Sequence, residues 1–293
     1  MVNTEVLYEE RGAIATVTMN RPQYRNAQNA AMTYALDKAF SAAIANDAVK
    51  VIVLRGAGDH FSAGHDIGTA QRDIHKAFPR VASNWWPHED KAGAENYFVR
   101  EQELYLGMCR RWREIPKPTI AMVHGACIAG GLMLAWVCDL IIASESAFFS
   151  DPVVKMGIPG VEYFAHPFVI SPRAAKELLF LGDRMTAQRA YELGMVNKVV
   201  PNESLAEAVD GIARRIAEMP RFGLALTKKA INQAEDRMGL RDSVDATFAL
   251  HQLAHAHNSL TSEDHLAGQT VKTMSGAREP AEKGAAAPAK GAS

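Results

Sequence analysis

Two short segments carry the residues best suited to chemistry. They are Phe61-Ser62-Ala63-Gly64-His65-Asp66-Ile67 and Gly125-Ala126-Cys127-Ile128-Ala129-Gly130-Gly131. Each follows an apolar run of strand type. Each places small residues where a backbone N–H must come close to a ligand. Two convergent backbone donors stabilise a developing oxyanion, and one such donor is worth roughly 3 kcal/mol. Gly130 and Gly131 lack side chains, so a ligand can approach the backbone there. A helix starting near Leu132 would add the positive end of its dipole.

Other reactive side chains are scattered. Glu162 and His166 are four apart, on one face if that stretch is helical. Asp151 and Val153 share one side if theirs is a strand. A carboxylate buried near Met133, Trp136 and Phe149 would titrate high. Glu101 and Glu103 read as a solvated helix face. Asp139 reads as a structural acid with a backbone or basic partner, and Trp136 and Cys138 as core. Cys127 has apolar neighbours and no basic partner, so it is not read as a nucleophile. His251 and His255 are one helical turn apart, with His257 nearby, but no third ligand is evident. No metal is expected.

These residues need a scaffold, and the chain has the size for one. Its 293 residues could form one large domain or two small ones. The net charge of -1 gives no global field for nucleic acid or an anionic membrane. The apolar stretch 127–142 contains Asp139 and two glycines, too short and polar for a membrane span. Glu5, Glu9 and Glu10 interrupt any apolar leader core. Three cysteines make no disulfide framework, which suits the cytoplasm.

Val6-Leu7-Tyr8 and Ile14 to Met19 read as a hairpin turning at Arg11-Gly12. Asn29 to Ala45 has helical spacing. Val51 to Gly56, Thr119 to Gly125 and Leu140 to Ala143 read as buried parallel strands. The alternation argues for an α/β layered domain. Residues 68–96 hold Trp85, Trp86, Pro79 and Pro87 without clear period. They read either as a lid over a pocket or as a surface excursion whose tryptophans pack on the body. Helices follow over 174–181, 186–193, 204–219, 222–235 and 243–257. Thr186 and Ser204 are the expected N-caps and Gly194 the expected C-terminal stop. The divisions are a core over 1–200, a helical region over 201–274 and a disordered tail over 275–293.

Taken in order, several pieces resemble the crotonase superfamily, the enoyl-CoA hydratase/isomerase family. They are Asn20-Arg21-Pro22 through Asn26-Ala27, the 61–67 segment, and Ile115-Pro116-Lys117-Pro118-Thr119-Ile120-Ala121. Gly125 to Asp139, Gly157-Ile158-Pro159-Gly160 and Ala190 to Asn197 complete the set. The resemblance covers roughly Val6 to Leu266. It implies an α/β spiral of ββα units with a C-terminal helical trimerisation region. It also implies homotrimers or dimers of trimers, and a coenzyme A thioester as substrate rather than a bound cofactor.

By the same resemblance, the oxyanion donors are the N–H groups of His65 and Gly130. Arg25, Ala27, Ala63, Asp66 and Ile67 line the coenzyme A path, Arg25 by its charge toward phosphate. Lys272 is a further basic candidate. The best-known members use two glutamates, and their places here hold Met133 and Val153. Neither moves a proton. Glu162, in a loop that faces the acyl group in the family, becomes the main acid–base candidate, with His166 or Asp151 as partner. The implied reaction is of hydratase or isomerase type. C–C cleavage, thioester hydrolysis and non-catalytic acyl-CoA binding are the alternatives.

Overall fold

The computed structural model describes residues 5–262. A six-stranded sheet contains β1 (Val6–Arg11), β2 (Ile14–Met19), β3 (Val51–Gly56), β4 (Thr119–Val123), β6 (Leu140–Ser144) and β9 (Lys198–Val200), side by side in that order. A smaller sheet orders β5 (Ala126–Ile128), β7 (Phe148–Ser150) and β8 (Met185–Thr186). The chain alternates between the two. β4 in the large sheet leads to β5 in the small one, then to helix α4 (Gly130–Trp136), then back to β6 and on to β7. These ββα turns are the expected spiral.

β1 and β2 are the antiparallel hairpin, and all later neighbours in the large sheet run parallel. Parallel strands with both faces covered read as unbroken apolar runs. β3 shows why. Ile52 and Leu54 enter the main core, whereas Val51 and Val53 face Leu205, Val209 and Ala213 of α8 (Leu205–Ala217). Each such side chain contributes roughly 1.5–3 kcal/mol by leaving water.

Helix α1 (Ala30–Ala45) begins where expected, with Asn29 accepting from the Met32 N–H. Asp73, 43 residues on, accepts from the Ala30 and Ala31 N–H groups. α2 (Gly93–Glu101) continues through a π-helical turn at Gln102–Gly107 into α3 (Met108–Arg113). The unpatterned segment therefore ends near residue 92, earlier than its composition suggests. Glu103 accepts from the Val81, Ala82 and Ser83 N–H groups. Trp85 packs edge-on against Phe98, and Trp86 donates to Glu95.

Glu101 and Glu103 are buried, not solvated. Glu101 ends α2 and is covered by Gln252 and His251 of the C-terminal helix α10 (Leu240–Thr261), whereas Glu103, in the π-helical turn, is covered by the 81–83 backbone. Short α5 (His166–Val169) precedes α6 (Pro172–Leu181) and α7 (Ala187–Glu192). Then come α8, α9 (Arg221–Arg237) and α10 (Leu240–Thr261). Thr186 caps α7 through the Arg189 N–H, while Ser204 makes no capping bond. Gly194 follows α7 in the left-handed region. Asp139 takes the Thr119 N–H and the Lys228 ammonium, the structural role read from the sequence. Lys272 and the tail lie outside the described residues.

Candidate active site

The two glycine-containing segments meet. Ser62 donates to the Ala126 carbonyl and accepts from the Ile128 N–H. On its other side, Gln28 donates to the Gly64 carbonyl and accepts from the Asp66 N–H. Alternation along an extended chain then turns the His65 N–H away from Gln28. Ala129 has φ 47 and ψ -114, a conformation L-residues avoid, and it sets the direction of the Gly130 N–H. Neither the His65 nor the Gly130 N–H is taken by a protein acceptor among the described residues.

Close approach is built into this junction. A Cβ on Gly131 would lie 2.6 Å from the Ser62 carbonyl oxygen. A Cβ on Gly64 would lie 3.2 Å from the Gly130 nitrogen. Gly131→Ala is expected to part the segments, lowering stability by about 1–3 kcal/mol. Turnover should fall with it. Thermal unfolding and kcat on the same variant check the two effects together.

The imidazole of His65 lies against Gly130, stacked 3.6 Å from the Tyr105 ring. Its Nε2 is 3.0 Å from Glu162 Oε2. Its Nδ1 is buried without a partner. The second oxygen of Glu162 lies 3.7 Å from His251 Nε2. Burial pushes the Glu162 carboxyl upward. The charge and hydrogen bond of His65 and the charge of His251 outweigh it and hold Glu162 well below the usual carboxylate range. The expectation of a high-titrating carboxylate is thereby corrected. Its surroundings are imidazoles rather than Met133, Trp136 and Phe149. Burial, helped by the Glu162 and Glu101 charges and opposed by Arg100, raises the Tyr105 hydroxyl to about 12, so it stays neutral. Burial likewise raises the Cys127 thiol, as its apolar neighbours suggested.

A depressed carboxylate links stability to pH. Glu162 contributes fully above its unfolded value near 4.5 and loses that contribution as pH falls through its lower folded value. Wild type and Glu162→Gln should therefore differ most in urea midpoint near neutrality and converge in acid. A gap that is constant from pH 7 to 3 would contradict this.

Glu162 and His166 do not pair. Residues 159–165 are not helical, so the four-residue spacing does not bring them to one face. His166 Nε2 instead meets Asp151 Oδ2 at 2.9 Å, with both side chains fully buried. Asp151 also accepts from the Val161 N–H. Nor do Asp151 and Val153 alternate on a strand, because Pro152–Met156 is a 3-10 turn. Met133 and Val153 are buried apolar side chains.

Arg25 is exposed, and its carbonyl accepts from the Ala63 N–H. Ala63 and Ile67 are partly exposed, and Ala27 is buried. The Asp66 carboxylate turns inward, to Arg21 at 3.0 Å and to Thr69. Only its backbone can belong to a binding wall. Sequence reasoning missed Tyr105, Glu101 and His251 as neighbours of this site. A histidine pair at one-turn spacing was the available signal for the last.

A sequence model of the enoyl-CoA hydratase/isomerase family matches residues 9–86 and 89–268, most of the chain. The chain belongs to the enoyl-CoA hydratase/isomerase family. A Mycobacterium tuberculosis protein named "putative enoyl-CoA hydratase EchA13" is 46% identical over 250 residues, covering 84% of this chain and 78% of that protein. The Escherichia coli 1,2-epoxyphenylacetyl-CoA isomerase is 33% identical over 228 residues, covering 77% and 80%. A crystal structure described as a "probable" enoyl-CoA hydratase from Mycobacterium smegmatis superposes with a TM-score of 0.82 at 41% identity. It covers 91% of this chain and 100% of its own. The fold is the crotonase fold, and the protein is an acyl-CoA-processing enzyme of hydratase/isomerase type. Among the described residues, no helix is long and apolar enough to cross a membrane.

Proposed function

We propose that this family member moves protons on a coenzyme A thioester with a His65–Glu162 dyad, in a reaction closer to double-bond isomerisation than to hydration by paired glutamates. The carrying observation is the 3.0 Å contact between His65 Nε2 and Glu162 beside Gly130. Ionised Glu162 can only accept, so His65 Nε2 donates and Nδ1 is the nitrogen left to exchange a proton with substrate. That nitrogen is buried at the glycine whose N–H would hold the enolate oxygen. The dyad has the logic of a carboxylate-oriented imidazole base.

The base takes a proton from the carbon next to the thioester or from the vinylogous carbon. The His65 and Gly130 N–H groups stabilise the resulting enolate. The same imidazole returns the proton at the other carbon. One group that both takes and returns a proton suffices for isomerisation. Hydration by the family's glutamate pair needs acid–base groups where this chain has Met133 and Val153. Glu162 is thus the orienting partner and His65 the proton mover. Asp151 and His166 brace the loop that carries Glu162. The isomerase name of the Escherichia coli relative favours the same class of reaction.

Arg25, Ala27, Ala63, Ile67 and the Asp66 backbone form the coenzyme A path in this reading, and no bound cofactor is required. The exposed apolar side chains Phe222, Leu226, Leu253 and Leu260 on α9 and α10 suit burial between copies in a homotrimer or dimer of trimers. Three unbridged cysteines suit the cytoplasm.

The test is a mass-resolved screen of enoyl-CoA thioesters in heavy water. Deuterium uptake with a shifted double bond and no added water supports the proposal. Addition of one water without exchange would assign hydration and overturn it.

A further inference from the structure

The C-terminal helix holds a cluster for which the thioester chemistry has no use. Glu101 at the end of α2 and His251 and His255 on α10 are all buried. One ligand atom from each lies within 4.8 Å of the others. The His251 and His255 Nε2 atoms are 3.0 Å apart. Glu101 Oε2 is 3.5 Å from His251 Nε2, and Glu101 Oε1 is 3.5 Å from His255 Nε2.

The two carboxylate distances exceed the ordinary hydrogen-bond range of about 2.7–3.2 Å. They run from the two different oxygens of Glu101, and with the 3.0 Å Nε2–Nε2 contact they lie near the spacing of donors around one ion. Metal–ligand bonds of about 2.0–2.1 Å put neighbouring donors about 3.3–3.4 Å apart. The tautomer of His251 is a second, independent observation. Its Nδ1 is 2.8 Å from the Gly160 carbonyl, which can only accept. Nδ1 therefore carries a proton, which leaves Nε2, the nitrogen that faces the cluster, as the one free to ligate an ion. A ligating histidine is ordinarily held in this way.

Outer contacts hold the other groups. Gln252 donates to Glu101 Oε2 at 2.6 Å, and the Tyr97 ring stacks on His255. Arg100 lies 3.6 Å from Glu101 Oε1 and opposes a cation. Glu162, whose Oε1 is 3.7 Å from His251 Nε2, is a second carboxylate on the site and offsets it.

We propose that Glu101, His251 and His255 bind one divalent transition ion, of the zinc class, which ties α10 to α2. Two imidazoles and one carboxylate suit zinc, cobalt or iron rather than magnesium or calcium. The ion would lie next to the Glu162 oxygen that does not bond His65. The proposal stands on this geometry alone and does not depend on the reaction assigned to the dyad.

The full-length protein, made without a histidine tag, would be stripped with chelator and titrated with cobalt(II) and zinc. Wild type is expected to take up about one equivalent. Cobalt should give visible absorption of a low-coordinate histidine site. Zinc should raise the melting temperature. Glu101→Gln and His255→Gln should each weaken zinc binding by about 100-fold or more, with far-ultraviolet circular dichroism confirming that each variant folds. If a variant fails to fold, the other carries the test. No uptake by wild type, or equal affinity in wild type and a folded variant, would overturn the site.

Discussion

Replacing His65 with alanine is expected to lower kcat on an isomerisable enoyl-CoA by about 10²–10⁴-fold, the range for a lost general acid–base group. Binding should survive. The backbone N–H of residue 65 remains, so one of the two oxyanion donors is untouched. Only 12% of the His65 side chain is exposed, and its ring lies over Gly130. Removing the ring therefore opens the thioester site, and affinity for an unreactive acyl-CoA should hold or improve. His65→Gln keeps a donor toward Glu162 but has no basic nitrogen, so its kcat should fall as far. Calorimetric affinity and kcat measured on both variants separate the two effects. Unchanged kcat would remove His65 from the chemistry.

The largest effect on stability is expected at Asp151. Its carboxylate and the His166 ring are both fully buried, 2.9 Å apart. Trp136 and Phe164 surround the imidazole at 4.7 and 4.4 Å between ring centres. Asp151→Ala leaves a buried ring without its partner and strips the Val161 N–H of its acceptor. Breaking such a pair from one side costs about 3–5 kcal/mol. Asp151→Leu with His166→Leu should be less damaging than Asp151→Ala, because only the Val161 N–H, and no buried ring, is then left without its partner. Urea midpoints of the two variants check this order. The Asp151→Ala variant should also lose activity, since Val161 adjoins Glu162. If it unfolds no more easily than wild type, the bracing role is wrong.

Local physics made much of this molecule legible. The runs at Val51 and Thr119 are strands buried on both faces, and their lack of alternation said so. Asn29 and Asn46 bracket α1 closely. The meeting of the two small-residue segments was legible because close approach demands glycine. The partners of each reactive side chain were less legible. His65 and Glu162 are 97 residues apart, and no period links them. Glu162 and His166 have helical spacing, but proline and glycine at 159 and 160 precede a stretch without a helix. The four-residue rule does not apply there. Glu101 lacked a visible partner because its neighbours arrive 150 residues later on α10. A carboxylate's titration depends on what packs around it. The sequence neighbours of Glu162 were poor guides to the imidazoles that settle its charge.

Asp73 and Glu103 have a consequence for how this protein can vary. Asp73 takes two N–H groups at the start of α1, and Glu103 takes three from residues 81–83. Asp73 holds the segment's entry by its own carboxylate on the α1 backbone, and Glu103 holds its middle through main-chain N–H groups. Main-chain atoms are the same whatever side chains they carry. The side chains of residues 81–83 can therefore change with little effect on the Glu103 anchor. The two anchors thus differ in what they tolerate: Glu103 reads only backbone, whereas the hold on α1 needs the Asp73 carboxylate itself.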